Sequence, residues 1–107
     1  MSKIVMYMAS NELMREMYFL KEDKALEVYA ERFSEYTPAP AFEAEKSGKD
    51  AAEEAFDLTN NPYRQDERVE VYGRGRSLSV GDIVEVTEGD DVSRFMCLSF
   101  GWMYLPV

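Results

Sequence analysis

The stretch IVEVT-EGDD-VSRFMCLSF, residues 83–100, consists of two apolar runs joined by four polar residues. β-Branched and aromatic side chains favour extended strands, and a short segment containing Gly and Asp is typical of a tight turn. The stretch therefore predicts a β-hairpin, with strands at 83–87 and 92–100 and a turn at 88–91. This hairpin decides the fold class, because it requires an antiparallel sheet.

Further segments extend the sheet outward from the hairpin. Downstream, Gly101 is expected to bend the chain into a last short strand at 102–105. Upstream, residues 67–72 alternate and predict another strand, so that a β-meander covers residues 67–106. At the N-terminus, residues 3–9 (KIVMYMA) predict a strand that pairs with the meander.

The middle of the chain, residues 23–61, predicts helices. Apolar residues recur there at helical spacing in two stripes, Leu26, Tyr29, Ala30 and Phe33, then Ala52, Ala55, Phe56 and Thr59. Residues 13–20 fit either a helix or a strand, and the sequence leaves that choice open. The whole chain, 1–107, is predicted as one α+β domain, an antiparallel sheet with about two helices packed on one face.

Composition limits the classes of partner. The 107 residues include 21 acidic and 12 basic side chains, for a net charge of −9. A surface of this sign repels nucleic-acid phosphates and attracts basic partners. The simpler alternative is a well-solvated surface that binds nothing. No apolar stretch approaches the length of a membrane span and no signal peptide is evident, so a cytoplasmic location without membrane contact is expected.

Residue types suited to catalysis or metal binding are scarce. The chain has no histidine, and its single Cys97 lies in an apolar run without a neighbouring base to activate it. Glu88, Asp90 and Asp91 offer oxygen ligands, but their spacing matches no EF-hand loop and favours a charged hairpin tip. The sequence therefore predicts a non-enzymatic protein without a cofactor or a metal.

Acidic residues are concentrated in the helical middle. Residues 22–57 carry 11 acids and 4 bases, a net of −7 out of the total of −9. An acidic helical face can imitate the phosphate spacing of nucleic acid and occupy the basic groove of another protein. We therefore predict that a protein with a basic surface is bound by six side chains of the two helices: Glu27, Glu31, Glu35, Glu53, Glu54 and Asp57.

One short loop concentrates positive charge. Arg74 and Arg76 alternate with glycines, whose backbone can approach an anion closely. With Tyr72, Phe95 and Trp102 as stacking platforms, this loop gives an alternative function, a nucleic-acid-binding module. The competing interpretation is that the arginines pair with nearby carboxylates and the rings belong to the core. The acidity of the chain makes nucleic acid the less favoured partner.

The segment SLSVGDIV, residues 77–84, is the most distinctive motif. Gly81 permits the positive φ that a sharp turn requires, and Asp82 can accept hydrogen bonds from nearby backbone amides. Ser77 and Ser79 complete the turn. These four residues are predicted to be structural rather than catalytic.

The run RSLSVGDIV at 76–84, followed by a hairpin and SFGW at 99–102, resembles the YodL-like domain family. That family has a similar HSLSVSDIV run, in which a histidine and a serine stand where this chain has Arg76 and Gly81. The helical segment AEEAFDLTN, residues 52–60, also resembles small bacteriophage and mobile-element proteins. The resemblance implies a phage or mobile-element origin and binding of a host protein in the host cytoplasm, for host takeover or counter-defence. It implies no catalytic residue.

The N-terminal half is rich in methionine, with Met1, Met6, Met8, Met14 and Met17. These flexible side chains can fill a core, or they can form an adaptable contact surface such as a homodimer interface. The sequence leaves both uses open.

Overall fold

The computed structural model describes residues 1–73 and 75–107. Within those residues the helices are α1 (Asn11–Tyr18), α2 (Glu22–Arg32), α3 (Gly48–Asn60) and α4 (Gln65–Tyr72). The strands are β1 (Ser2–Met8), β2 (Thr37–Pro38), β3 (Phe42–Ala44), β4 (Ile83–Glu88), β5 (Asp91–Cys97) and β6 (Trp102–Leu105). None of the described helices is long and apolar enough to cross a bilayer.

All these strands form one antiparallel sheet, in which β1 lies between β4 on one side and β2 and β3 on the other. Strands β4, β5 and β6 follow as neighbours, so the predicted pairing of an N-terminal strand with a C-terminal meander is confirmed. Both β2 and β3 pair with β1, but their registers differ by one residue. Tyr7 pairs with Pro38, whereas Ile4 pairs with Phe42. This bulge, with Pro38 and Pro40, protects that edge from further strand pairing.

The sheet is covered by helices on both faces. Because side chains alternate along a strand, β1, β4, β5 and β6 each contribute to two separate cores. On one face, α3 and the end of α4 pack on residues that include Ile4, Met6, Val84, Val86 and Phe95. On the other face, α1 and α2 pack on residues that include Ile83, Met96 and Leu105.

The segment left open by the sequence is helical. Most of residues 13–20 lie in α1, which begins after Ser10, and the Ser10 Oγ accepts a hydrogen bond from the Leu13 N–H at 3.1 Å. Such a cap satisfies one of the free amides at the start of a helix. Leu13 and Met17, one turn apart, are buried against the sheet, so the helix presents a single apolar stripe to the core.

The α+β class and the antiparallel sheet are confirmed, and four details are corrected. One is the predicted helical middle at 23–61, which also contains the short strands β2 and β3. The described helices number four rather than two, and they cover both faces of the sheet rather than one. The extra two are α1 and α4. The meander therefore starts at Ile83 rather than at residue 67.

The predicted strand at 67–72 is wrong, because these residues belong to α4. The alternation of Val69 and Val71 suggested a strand, yet Val69 is exposed. Acidic residues in the first turn of α4 are stabilised by the helix dipole, and Gly73, with a φ of 92°, ends the helix. Tyr72 is the side chain of α4 that is buried, so the helix is held by its C-terminal end.

Candidate functional site

The motif segment forms the turn that leads into β4. Gly81 has a φ of 94°, which confirms the predicted positive φ. Its N–H donates to the carbonyl O of Cys97 at 2.9 Å, and the Cys97 N–H donates to the carbonyl O of Asp82, also at 2.9 Å. The turn is thus joined to the end of β5.

Asp82 is fully buried, and its carboxylate is surrounded by donors. Oδ1 accepts from the Ala9 N–H at 2.8 Å and from Arg76 Nη2 at 2.8 Å. Oδ2 accepts from the Ser79 N–H at 2.8 Å and from Arg76 Nη1 at 2.5 Å. The predicted bonds to nearby amides are therefore present, and the distant Ala9 adds one at the end of β1.

The guanidinium of Arg76 is directed into the domain. Besides binding Asp82, it donates to the carbonyl O of Ala9 at 2.6 Å and to that of Ser77 at 3.1 Å. The hydrogen bonds to Asp82 raise the pKa of Arg76. Arg76 is thus paired with a local carboxylate, the interpretation that competed with anion binding. Arg74 lies outside the described residues.

The sheet aromatics proposed as stacking platforms lie in different surroundings. Tyr72 and Phe95 are buried in the core under α3. The Tyr72 OH donates to the Arg76 carbonyl O at 3.1 Å. Trp102 is half-buried, and its Nε1–H donates to Glu53 Oε1 at 2.8 Å. The structure does not bring these three rings together as an exposed platform.

The C-terminus of α3 holds the motif segment in place. Ser77 Oγ donates to the Thr59 carbonyl O at 2.8 Å, and the Leu78 N–H donates to Thr59 Oγ1 at 3.0 Å. Asn60 Nδ2 donates to the Leu78 carbonyl O at 3.0 Å. The helical segment at 52–60 and the run at 76–84, each of which carries a resemblance, therefore form a single hydrogen-bonded unit.

The structure divides the six predicted acidic residues between opposite faces of the sheet. The first three lie on α2 and in the turn that follows it, and the other three lie on α3. These helices belong to the two different cores. The six side chains therefore do not form one continuous acidic face.

In the α2 group, Glu27 and Glu35 each form an ion pair. Glu27 contacts Lys24 at 3.4 Å, and both side chains are exposed. Glu35 accepts from Arg32 Nε at 2.8 Å, and this bond lowers the pKa of Glu35. Glu31 is exposed on α2. Because these contacts are exposed, they contribute little to stability.

Within the α3 group, Glu54 lines a groove of about 260 Å³ between β3, α3 and α4, which we call the acidic groove. Its apolar lining consists of Phe42, Ala44, Leu58 and Val71. Its charged lining consists of Glu43, Glu45, Lys46, Glu54, Arg64 and Glu67. Four glutamates against two bases leave the lining with a net charge of −2.

Arg64 brings the carboxylates of this region together. Its Nη1 donates to Asp57 Oδ2 at 2.6 Å and also to Glu54. Its Nη2 donates to Glu67 Oε2 at 2.6 Å. These bonds hold the pKa values of Asp57 and Glu67 below their ordinary values and raise the pKa of Arg64. One arginine faces three carboxylates, so the cluster remains negative.

Sequence reasoning missed Arg64 and Glu67 because it placed a strand at 67–72. The available signal was their three-residue spacing directly after Pro62. Proline favours the first turn of a helix, and on a helix that spacing places opposite charges side by side.

The other groups considered for chemistry have structural contacts. Cys97 is buried, and that burial, reinforced by the charges of Asp82 and Glu53, raises its pKa to about 12. A thiol of that kind stays protonated and unreactive at neutral pH. Glu88 accepts from the Gly48 N–H at 3.0 Å. Among the residues that the structure describes, no group of three or more acidic or thiol side chains is arranged to hold a metal ion.

A scan against protein-family models, a search of curated proteins and a search of solved structures each gave no match. The resemblance to the YodL-like domain family therefore stays a prediction that rests on residues 76–84 and 99–102, and the resemblance of residues 52–60 to small bacteriophage and mobile-element proteins stays a prediction as well.

Proposed function

We propose that this protein is a non-enzymatic binding protein whose partner is a protein with a basic surface. The contact is assigned to the acidic groove. The observation that carries this assignment is the convergence of Glu54, Asp57 and Glu67 on Arg64 beside an apolar lining. The clefts beside α1 and the cleft beside Pro38 have at most one glutamate in their linings.

The chemistry of the acidic groove suits lysine and arginine side chains. Their long aliphatic stems can lie along apolar surface while the charged head remains at a polar rim. Phe42, Leu58 and Val71 supply the apolar surface, and the glutamates supply the rim. Charge-assisted hydrogen bonds to carboxylates are among the stronger polar contacts, so a basic segment gains both kinds of contact here.

The charge of the whole chain supports the same type of partner. A net charge of −9 accelerates the approach of a basic surface and slows that of an acidic one. The family resemblance adds a bacteriophage or mobile-element origin to the proposal. In that setting the basic partner is a host protein, met in the host cytoplasm during host takeover or counter-defence.

The second candidate, a nucleic-acid-binding module, has less support. It requires Arg76 to face a phosphate, but the guanidinium is bound to buried Asp82. It also requires exposed rings, and Tyr72 and Phe95 are buried. A gel shift of single-stranded DNA by micromolar protein at low salt would favour this candidate instead.

The proposal is tested with a fluorescently labelled oligolysine peptide as the probe of a basic surface. Binding is followed by fluorescence anisotropy at low and at high salt. The double variant Glu45→Gln/Glu67→Gln removes two charges from the acidic groove. We expect it to weaken binding about tenfold at low salt, and we expect high salt to weaken binding to the unmodified protein.

The matched control is Glu27→Gln/Glu31→Gln, which removes the same charge from exposed positions on α2. Its effect should stay below about threefold, because it acts through net charge alone. Equal weakening by both variants, or no binding at low salt, would contradict the proposal. Affinity purification from a bacterial lysate at the two salt concentrations then identifies the partner, which should be basic and released by salt.

A further inference from the structure

A second surface, where the C-terminus of α1 meets the β5–β6 turn, exposes aromatic side chains. Phe19 is 88% exposed, Phe100 is 96% exposed and Tyr18 is 56% exposed. Tyr18 and Phe19 contact each other edge to face, with ring centroids 4.9 Å apart. We call this surface, together with the clefts that Tyr18 lines, the aromatic end.

Three clefts open on the aromatic end, and Tyr18 lines all of them. The first has a volume of about 350 Å³, and its lining extends from Phe100 to buried Gly81 and Met96. The other two have volumes of about 330 and 310 Å³. An apolar cavity of about 150 Å³ accepts a benzene ring, so each cleft has room for an aromatic side chain.

These exposed rings do not belong to either core. Helix α1 buries Leu13 and Met17 against the sheet and leaves Tyr18 and Phe19 outside the core. Exposed apolar surface is unfavourable in water, and contiguous patches of it commonly mark interaction sites. The exposure of these rings is therefore typical of a surface that is buried in a protein interface.

The local charge distinguishes this surface from the rest of the chain. Among the residues that line the three clefts, the charged ones are Arg15, Lys21 and Glu22, a net charge of +1 in a protein of net charge −9. Two copies approaching through their acidic sides repel each other. Two copies approaching through their aromatic ends bring together clefts of low net charge, so electrostatic repulsion between these clefts is small.

We propose that the aromatic end is the interface of a homodimer, with a second copy of this chain as its occupant. A two-fold interface must be complementary to itself, since the same patch is used on both subunits. This patch carries both protruding rings, Phe19 and Phe100, and clefts large enough to receive them. It also carries an adjacent pair of opposite charges, Lys21 and Glu22. In a two-fold dimer, Lys21 of one copy can face Glu22 of the other.

This interface is separate from the acidic groove. No described residue lines both surfaces. A dimer formed through the aromatic end leaves the acidic groove of each copy open to its partner. Failure of oligolysine binding and failure of dimer formation are therefore distinguishable outcomes.

The test is the mass of the unmodified chain over a range of concentration, by sedimentation equilibrium at high salt. High salt suppresses contacts based on charge and leaves apolar association intact. We expect the mass to rise from monomer to dimer with concentration. We expect Phe19→Ser and Phe100→Ser, each checked by circular dichroism and thermal unfolding, to raise the dissociation constant of the dimer at least about tenfold.

The matched control is Tyr63→Ser, because Tyr63 is an equally exposed aromatic, at 94%, and lines none of the three clefts. It should dimerise like the unmodified chain. A monomer at every concentration would overturn the proposal. A dimer that survives both phenylalanine substitutions, or one weakened equally by Tyr63→Ser, would overturn it as well, because association would then use another surface.

Discussion

Arg76 and Asp82 form an ion pair through two contacts, Nη1 to Oδ2 at 2.5 Å and Nη2 to Oδ1 at 2.8 Å, and the carboxylate is fully buried. Both side chains also bind Ala9, Arg76 at its carbonyl O and Asp82 at its N–H. The pair therefore joins the end of β1 to the turn before β4. This geometry indicates that Arg76 contributes to the stability of the domain.

Replacement of Arg76 by alanine leaves the Asp82 carboxylate buried without its cationic partner. We expect R76A to lower the free energy of unfolding by about 3 kcal/mol, because removal of one member of a buried pair leaves the other uncompensated. Urea denaturation followed by Trp102 fluorescence measures the change. Lys49→Ala, at an exposed position, serves as the control and should stay within about 0.5 kcal/mol. A loss for R76A below about 1 kcal/mol would mean that the pair is not required.

Alanine at Gly81 should destabilise the turn in two ways. The φ of 94° is unfavourable for a residue with a Cβ, and that Cβ would lie 3.1 Å from the Cβ of Met17. We expect G81A to cost about 2 kcal/mol. Gly89→Ala is the comparison, because its φ is 59° and nothing lies within 4 Å of the added Cβ; we expect a cost nearer 1 kcal/mol. Thermal unfolding of both variants measures the difference, and equal losses would rule out the contact with Met17.

Substitution of Arg64 should change stability and binding in opposite directions. Arg64→Gln frees the carboxylates of Glu54, Asp57 and Glu67, so the acidic groove becomes more negative. Stability should fall by about 1 kcal/mol, because the lost pairs are partly exposed. Oligolysine should bind more tightly, by about threefold at low salt. Urea denaturation tests the expected loss of stability, and anisotropy titration of the same preparation tests the expected gain in oligolysine affinity. Weaker binding would contradict the assignment of the partner contact to the acidic groove.

The buried Cys97 predicts a loss of stability at alkaline pH. Its pKa is raised from 9.0 to about 12 in the folded protein, so above pH 9 the unfolded chain ionises while the native thiol stays neutral. The contribution of Cys97 to the free energy of unfolding is fully present below pH 9. It is lost as the pH rises toward about 12, at up to about 1.4 kcal/mol per pH unit. Urea denaturation at several pH values compares the unmodified chain with Cys97→Ala. The variant should lose less stability over this window, and parallel losses would show that Cys97 contributes nothing to it.

Local patterns were sufficient for most of the backbone. The hairpin of β4 and β5 is predictable because β-branched runs and a polar turn act over neighbouring residues, and the positive φ of Gly81 follows for the same reason. Helix α4 was missed because its valines alternate like those of a strand. Helix α4 is also held by the burial of Tyr72 and by the contacts that Arg64, just before it, makes with Glu54 and Asp57 of α3, and neither follows from a local pattern.

The sequence by itself determined an α+β domain with an antiparallel sheet, an acidic chain without histidine, and a sharp turn before β4. Only the tertiary structure decided that Asp82 binds Ala9, 73 residues away, that three carboxylates converge on Arg64, and that Phe19 and Phe100 are left exposed. The physical reason is the distance along the chain over which each kind of interaction acts. Propensity and periodicity determine backbone angles and the face on which a side chain lies, whereas its partners depend on how separate elements dock.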